Sequence, residues 1–172
     1  MSTFSCRPLA GGDDRAAFRC GAEPLDAYLR ERAGQDMRRR AAAVFVLVPD
    51  HQPQRIAGYY TLSSASIVLE ASPDEIARKL PRYPLVPAVL IGRLARDVNF
   101  PGVGKLLLLD ALKRALRHSH QVASAVVLVD AKDDAARRFY ARYGFQQILQ
   151  ISHRMFLPMK TVERLLRGES SR

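Results

Sequence analysis

The chain has 172 residues, 48% hydrophobic and 26% charged, a balance that fits one domain with a sizeable core and argues against a disordered chain. No apolar run reaches the roughly 18 residues of a membrane span, "MSTFSCRPLAGGDDR" has no apolar signal core, and two cysteines, Cys6 and Cys20, without metal-like spacing argue against a disulfide scaffold or a zinc site. The expectation is a soluble, cytoplasmic, metal-free protein.

In chain order, "GGDD" at Gly11–Asp14 reads as a turn. "PLDAYLRERAGQDM" sets Leu25, Tyr28 and Leu29 at helical spacing opposite a charged face. "AAAVFVLVPD" is a buried strand, "HQPQ" a hairpin-type loop, and "RIAGYYTLSSASIVL" a long strand with Gly58 at a bulge. "SPDEIARKL" opens on a capping box, with Ser72 as cap, Pro73 at the first helical position and Glu75 three residues on. The prolines of "PRYPLVP" exclude regular structure there, and "AVLIGRLARD" is the central strand.

"KLLLLDALKRALRHSH" is a long helix, and "SAVVLVDA" has the continuous apolar run of a strand covered on both faces. "DDAARRFYARYGF" is a helix stopped at Gly144, "RMFLPMK" a last strand, "TVERLLRG" a short helix or tail, and "RLLRGESSR" is expected to fray. The order β-α-β-β-α-β-α-β-α-β combines a hairpin half with a strand–helix half. It predicts a mixed α/β fold: one sheet, part antiparallel and part parallel, with helices on both faces.

The formal net charge is +10. It marks either a solvated basic surface or a polyanionic partner such as nucleic acid or an acidic protein. Basic residues cluster at Arg38, Arg39 and Arg40, at Arg78, Lys79 and Arg82, at Lys113, Arg114 and Arg117, and at Arg137, Arg138 and Arg142.

"NFPGVGKLL" puts two glycines where the central strand hands over to the long helix. A helix start offers unpaired N–H groups and a positive dipole end, so such a turn can hold an anion. Lys105 is followed by Leu106, so the P-loop pattern is absent, and no Gly-x-Gly-x-x-Gly occurs. Arg93 inside an apolar strand calls for an internal ion pair or a ligand. Tyr140 reads either as core or as a proton donor, since a phenol with pKa near 10 stays protonated at neutral pH.

"CGAEPLDAYLRERAGQDMRRR", "IAGYYTLSSASI", "LPRYPLVPAVLIGRLARD", "LLLLDALKRAL", "LVDAKDDAARRFYARYGF" and "RMFLPMKT" together resemble the GNAT acetyltransferases, and more narrowly the GNAT toxins of toxin–antitoxin pairs, from Phe18 to Thr161. The resemblance implies the GNAT fold as one domain over the whole chain, with a mostly antiparallel sheet and a parallel pair at the cofactor cleft. It implies acetyl transfer from acetyl-CoA to the α-amine of aminoacyl-tRNA, which blocks translation.

Tyr140 would give a proton to the leaving thiolate, and Arg93 would lie beside the reaction cleft. Leu94, Ala95 and Arg96 would pair with the pantetheine arm, a backbone N–H there holding the oxyanion. Asn99, Gly102, Val103, Gly104 and Lys105 would wrap the pyrophosphate, and Asp133 would also contact the cofactor. Arg38, Arg39, Arg40, Arg78, Lys79 and Arg82 are the candidate tRNA contacts. The implied partners are a ribbon-helix-helix antitoxin, operator DNA through that antitoxin, and a second copy of the chain.

Family members usually read "GRLAVD-x-x-x-Q-G-x-G-x-G-x-x-L-L" where this chain reads "GRLARDVNFPGVGKLLLLDAL", about two residues shorter. Asn99 takes the Gln/Arg slot, or else the turn itself is cut down with Pro101 in place of the glutamine. Pro101 removes a backbone donor, and Lys105 adds a point charge in partial compensation. Glu70, Asp97 and Asp130 are candidate bases on spacing; an α-amine, pKa near 7.7–8.0, reacts without one more readily than a lysine side chain. Two other functions remain open: a GNAT enzyme for a small amine or protein N-terminus, and a GNAT-like binding module with weakened acetyl-CoA affinity.

Overall fold

The computed structural model describes residues 3–68, 77–78, 80–148 and 153–170. Seven strands are described: β1 (Phe4–Pro8), β2 (Ala43–Pro49), β3 (Gly58–Val68), β4 (Leu85–Arg96), β5 (Val126–Asp130), β6 (Gln146–Gln147) and β7 (Arg154–Pro158). They form one sheet in the order β1-β2-β3-β4-β5-β7-β6. The pair β4/β5 is parallel, whereas β1/β2, β2/β3, β5/β7 and β6/β7 are antiparallel. The mixed, mostly antiparallel sheet with helices on both faces is the expected GNAT architecture. Among the described residues no helix is long and apolar enough to cross a membrane.

By internal contacts the chain divides into two compact units, Met1–Ser63 with Arg93–Ala111, and Ser64–Gly92 with Leu112–Arg172. In the first, the apolar alternation of β2 and β3 faces Phe18, Tyr28, Leu29 and Ala33, which with Val44, Val46, Ile56 and Tyr59 make its core. The expected helix over 24–37 is present but broken. α1 (Glu23–Ala27) and α2 (Ala33–Arg38) flank a π-helical stretch, Tyr28–Arg32, whose extra residue per turn rotates the side chains that follow. Beyond α2, Arg40 takes the left-handed conformation (φ 58°), and Ala41 N–H donates to Asp36 O at 2.9 Å, a closure more often built on glycine.

Gly58 is not at a bulge. It opens β3 in unbroken register with Leu47, and its lack of a side chain serves close approach. A Cβ there would lie 2.5 Å from Leu107 Cδ1 and 3.0 Å from the Ala95 carbonyl oxygen. Leu107 belongs to α3 (Gly104–Ser119), so this glycine lets the helix lie directly against the sheet.

In the second unit, Ile67, Val86, Ala88, Val126, Leu128, Ile148 and Phe156 are core. β4 begins inside the segment whose prolines argued against regular structure. Pro87 sits on its exposed side and its carbonyl accepts from Ala125 N–H at 2.9 Å, so the missing donor costs no described ladder bond. α4 (Asp134–Ala141) ends ahead of Gly144 as expected.

The last strand stops at Pro158, and α5 (Met159–Ser170) is the helix that "TVERLLRG" allowed; it runs on through Ser170, where fraying was expected. Met159, Val162 and Leu166 are buried along one face of α5. The two-residue β6 carries no periodic signal and was not anticipated. The capping box Ser72–Glu75 lies outside the described residues.

Replacing Gly58 by alanine should lower unfolding stability by about 1–3 kcal/mol, the usual cost of overpacking. Urea denaturation monitored by circular dichroism measures it, and an unchanged midpoint would contradict the close approach.

Candidate active site

The strand-to-helix turn is organised by one carboxylate. Asp97, directly after β4, is 0% exposed. Its Oδ1 accepts from Asn99 N–H at 2.8 Å and from Asn99 Nδ2 at 3.0 Å, and its Oδ2 accepts from Arg19 N–H at 2.9 Å. Arg55 Nη2 stands 3.4 Å away as counter-charge. Asp97 N–H donates to Ala57 O, and Val98 N–H to Arg19 O, each at 2.8 Å. A buried carboxylate is tolerated only when donors and a cation surround it in this way.

Phe100 N–H closes the turn on Asp97 O at 3.0 Å, and Gly102 has φ +86°, a conformation that explains the glycine without any steric demand. Val103 is buried and fixes the turn to the core. Leu107 N–H bonds to Val103 O at 3.1 Å, so the N–H groups of Gly104, Lys105 and Leu106 precede the first helical hydrogen bond of α3, the arrangement that favours an anion. The Asn99 amide is turned inward on Asp97. Lys105 is exposed at the helix start.

Upstream in β4, the register with β5 runs from Ala88 opposite Val126 to Ile91 opposite Val129. Leu94, Ala95 and Arg96 lie beyond that point. Arg93 makes no ion pair among the described residues. Its guanidinium carbon lies 3.5 Å above the centroid of the Tyr28 ring, and its own N–H donates to Thr61 Oγ1 at 3.1 Å. An aromatic face thus takes the place of a counter-ion.

Tyr140 is on α4, whose N-cap Asp133 accepts from Ala136 N–H at 2.8 Å. The Asp133 carboxylate therefore has a structural bond of its own. The Tyr140 ring is 5% exposed and lies edge-on to Phe139 and tilted against Phe145. Burial first, and the Asp130 charge second, push its phenol above the ordinary value.

The other buried tyrosines give their hydroxyls to Asp36, Leu25 O and Asp110. Among the described residues Tyr140 has no such partner. Its phenol, pushed above the ordinary value by burial, is committed to no described acceptor.

Of the candidate bases, Asp97 is enclosed, Glu70 lies outside the described residues, and Asp130 is held bidentate by Arg154 (Nε to Oδ1 2.8 Å, Nη2 to Oδ2 3.0 Å). Arg38, Arg39, Arg40, Arg78 and Arg82 are exposed, and Lys79 lies outside the described residues. The first unit carries Arg93 to Arg96 and Asn99 to Lys105, and the second carries Asp133 and Tyr140. The sequence reading missed the enclosing role of Asp97 and the platform under Arg93. The "YLRER" π-helical stretch that carries Tyr28 leaves no distinct mark in the apolar spacing.

A probable toxin TacT of Sinorhizobium fredii is 32% identical over 89% of this chain and 89% of its own. The chain belongs to the GNAT acetyltransferase toxins. A tRNA-acetylating toxin of Mycobacterium tuberculosis is 34% identical over 85% of this chain and 87% of its own. Among solved structures, AtaT complexed with acetyl-methionyl-tRNAfMet superposes with a TM-score of 0.85 at 27% identity, covering 95% of this chain and 99% of that one. AtaTR bound with acetyl-CoA gives 0.82 at 26% identity, covering 94% and 97%. No protein-family model matches.

In this GNAT toxin, Asp97→Ala should destabilise the fold by about 1–3 kcal/mol for each backbone donor left unpaired. Hydrogen exchange should accelerate at the Arg19 and Asn99 amides; retained protection there would show that the turn does not depend on Asp97.

Proposed function

We propose that this protein transfers the acetyl group of acetyl-CoA to the α-amine of aminoacyl-tRNA, and so removes charged tRNA from translation. The observation that carries the reading is the buried Tyr140 phenol, pushed above its ordinary value and without a described acceptor, in a chain 34% identical to a tRNA-acetylating toxin. The N–H groups opening α3, ordered by Asp97 and Gly102, fit a pyrophosphate despite the shortened turn, and Lys105 adds positive charge at the same helix start. Leu94 to Arg96 fit the amides of the pantetheine arm as a strand edge does.

The acceptor amine attacks the thioester carbonyl as a neutral nucleophile. An α-amine, pKa near 7.7–8.0, supplies that form without a dedicated base, in keeping with the commitment of Asp97 and Asp130 to other partners. Backbone N–H groups of Leu94 to Arg96 hold the developing oxyanion. On collapse the carbon–sulfur bond breaks, the thiolate takes the Tyr140 proton, and the proton released by the amine passes to solvent, from which Tyr140 is restored.

The exposed arginines Arg38 to Arg40 at the end of α2, with Arg78, Lys79 and Arg82, provide phosphate contacts for the tRNA. The same basic surface suits the acidic tail of a ribbon-helix-helix antitoxin, through which the pair would reach operator DNA. The reading includes a homodimer, a single catalytic domain and a cytoplasmic site of action, where charged tRNA is found.

Tyr140→Phe should cut acetyl transfer by roughly 10²-fold or more while calorimetry shows acetyl-CoA binding within about twofold; unchanged turnover would remove Tyr140 from the chemistry. With the phenol held protonated, the pH–rate profile should rise through the amine's pKa near 8 and show no fall from tyrosine ionisation below about pH 10. Replacing Arg38, Arg39 and Arg40 by glutamate should weaken tRNA binding and flatten its salt dependence, and an unaltered slope would place the tRNA elsewhere.

A further inference from the structure

Arg93 is a partly buried cation in a strand, without a carboxylate partner among the described residues. What it has instead is a ring held from several sides. Tyr28 is 4% exposed and its hydroxyl donates to Asp36 Oδ2 at 2.8 Å. The ring also stacks on Tyr59, centroids 6.3 Å apart and planes 17° apart. Tyr59 is fixed in turn by Phe18, edge-on at 5.4 Å, and by its own hydroxyl, which donates to Leu25 O at 2.7 Å. Tyr28 opens the π-helical stretch, a local irregularity that costs stability and recurs at functional sites.

We propose that Tyr28 is a positioning residue for acetyl transfer: its ring face, set by the π-helical stretch and clamped between Asp36 and Tyr59, holds the Arg93 guanidinium in place while leaving it charged and its N–H donors uncommitted. The physical contrast is with an ion pair. A carboxylate partner would fix the arginine equally well but would consume two donors and cancel the charge. A ring face attracts the cation through its quadrupole and takes none of the in-plane N–H groups, so they remain for the oxygen atoms of a substrate. This proposal rests on the reading of Arg93 as a residue of the reaction site.

The test grades the ring's electrostatics at constant shape. Tyr28→Phe keeps the face and loses only the bond to Asp36; 3,4,5-trifluorophenylalanine at the same position keeps the shape and weakens the quadrupole. Acetyl transfer to charged tRNA is measured for both, in the wild-type and Arg93→Ala backgrounds, with melting temperatures alongside. Tyr28→Phe sets the reference kcat/KM for an intact ring face without the Asp36 bond. The fluorinated variant is expected a further threefold to tenfold lower, about the strength of a cation–π contact, at an unchanged melting temperature. In the Arg93→Ala background fluorination should have no effect.

Equal activity of the phenylalanine and trifluorophenylalanine variants, with Arg93→Ala inactive, would overturn the proposal and leave the Arg93 reading intact. An effect of fluorination that persists without Arg93 would overturn it too. Full activity of Arg93→Ala would remove the reading on which it rests.

Discussion

The buried carboxylate of Asp97 is the constraint on which the strand-to-helix turn after β4 depends. It gathers donors from two distant stretches of chain, Arg19 and Asn99, and has Arg55 as counter-charge. With those groups in place Phe100 N–H closes the turn on Asp97 O, Gly102 takes its positive φ, and α3 starts at Gly104. Under the proposed function this order serves the pyrophosphate: preorganised donors bind an anion without first losing conformational freedom.

Arg93 and Tyr140 are each set by aromatic or buried surroundings. Arg93 rests on the Tyr28 face and makes no ion pair among the described residues, and burial with the nearby charge of Asp130 pushes the Tyr140 phenol above its ordinary value. Asp97 and Asp130, the acids that spacing suggests as bases, are both engaged in holding structure. That division suits an acceptor that arrives partly deprotonated and a leaving group that needs a proton, the demands of transfer from a thioester to an α-amine.

Much of the scaffold was legible in the residues. The continuous apolar runs of β2 and β5, the long helix after the Gly-x-Gly turn and the stop at Gly144 follow from periodicity and backbone preference alone. β4 was harder to delimit, because the prolines at 84 and 87 argue against a strand unless they lie where no ladder donor is needed. α5 had its signal in Met159, Val162 and Leu166, spaced as a helix face, and the polar tail around them obscured it.

The site was legible as a set of residue types and only partly as an arrangement. Tyr140 and Arg93 stand out as a phenol and a charge in apolar settings. That Arg93 rests on Tyr28, and that Asp97 reaches Arg19, depends on pairings between residues far apart in the chain, which no local pattern encodes. The π-helical stretch is hidden for a related reason: Leu25, Tyr28 and Leu29 satisfy ordinary helical spacing, and only the packed core shows the extra residue.

Acetyl transfer to an α-amine carried on tRNA is read directly by incubating the purified protein with radiolabelled acetyl-CoA and matched charged and uncharged tRNA. Label should appear on charged tRNA alone, released by mild alkali as an N-acetyl amino acid. Label on both tRNAs, or on neither while acetyl-CoA binds the protein, would exclude the α-amine as acceptor.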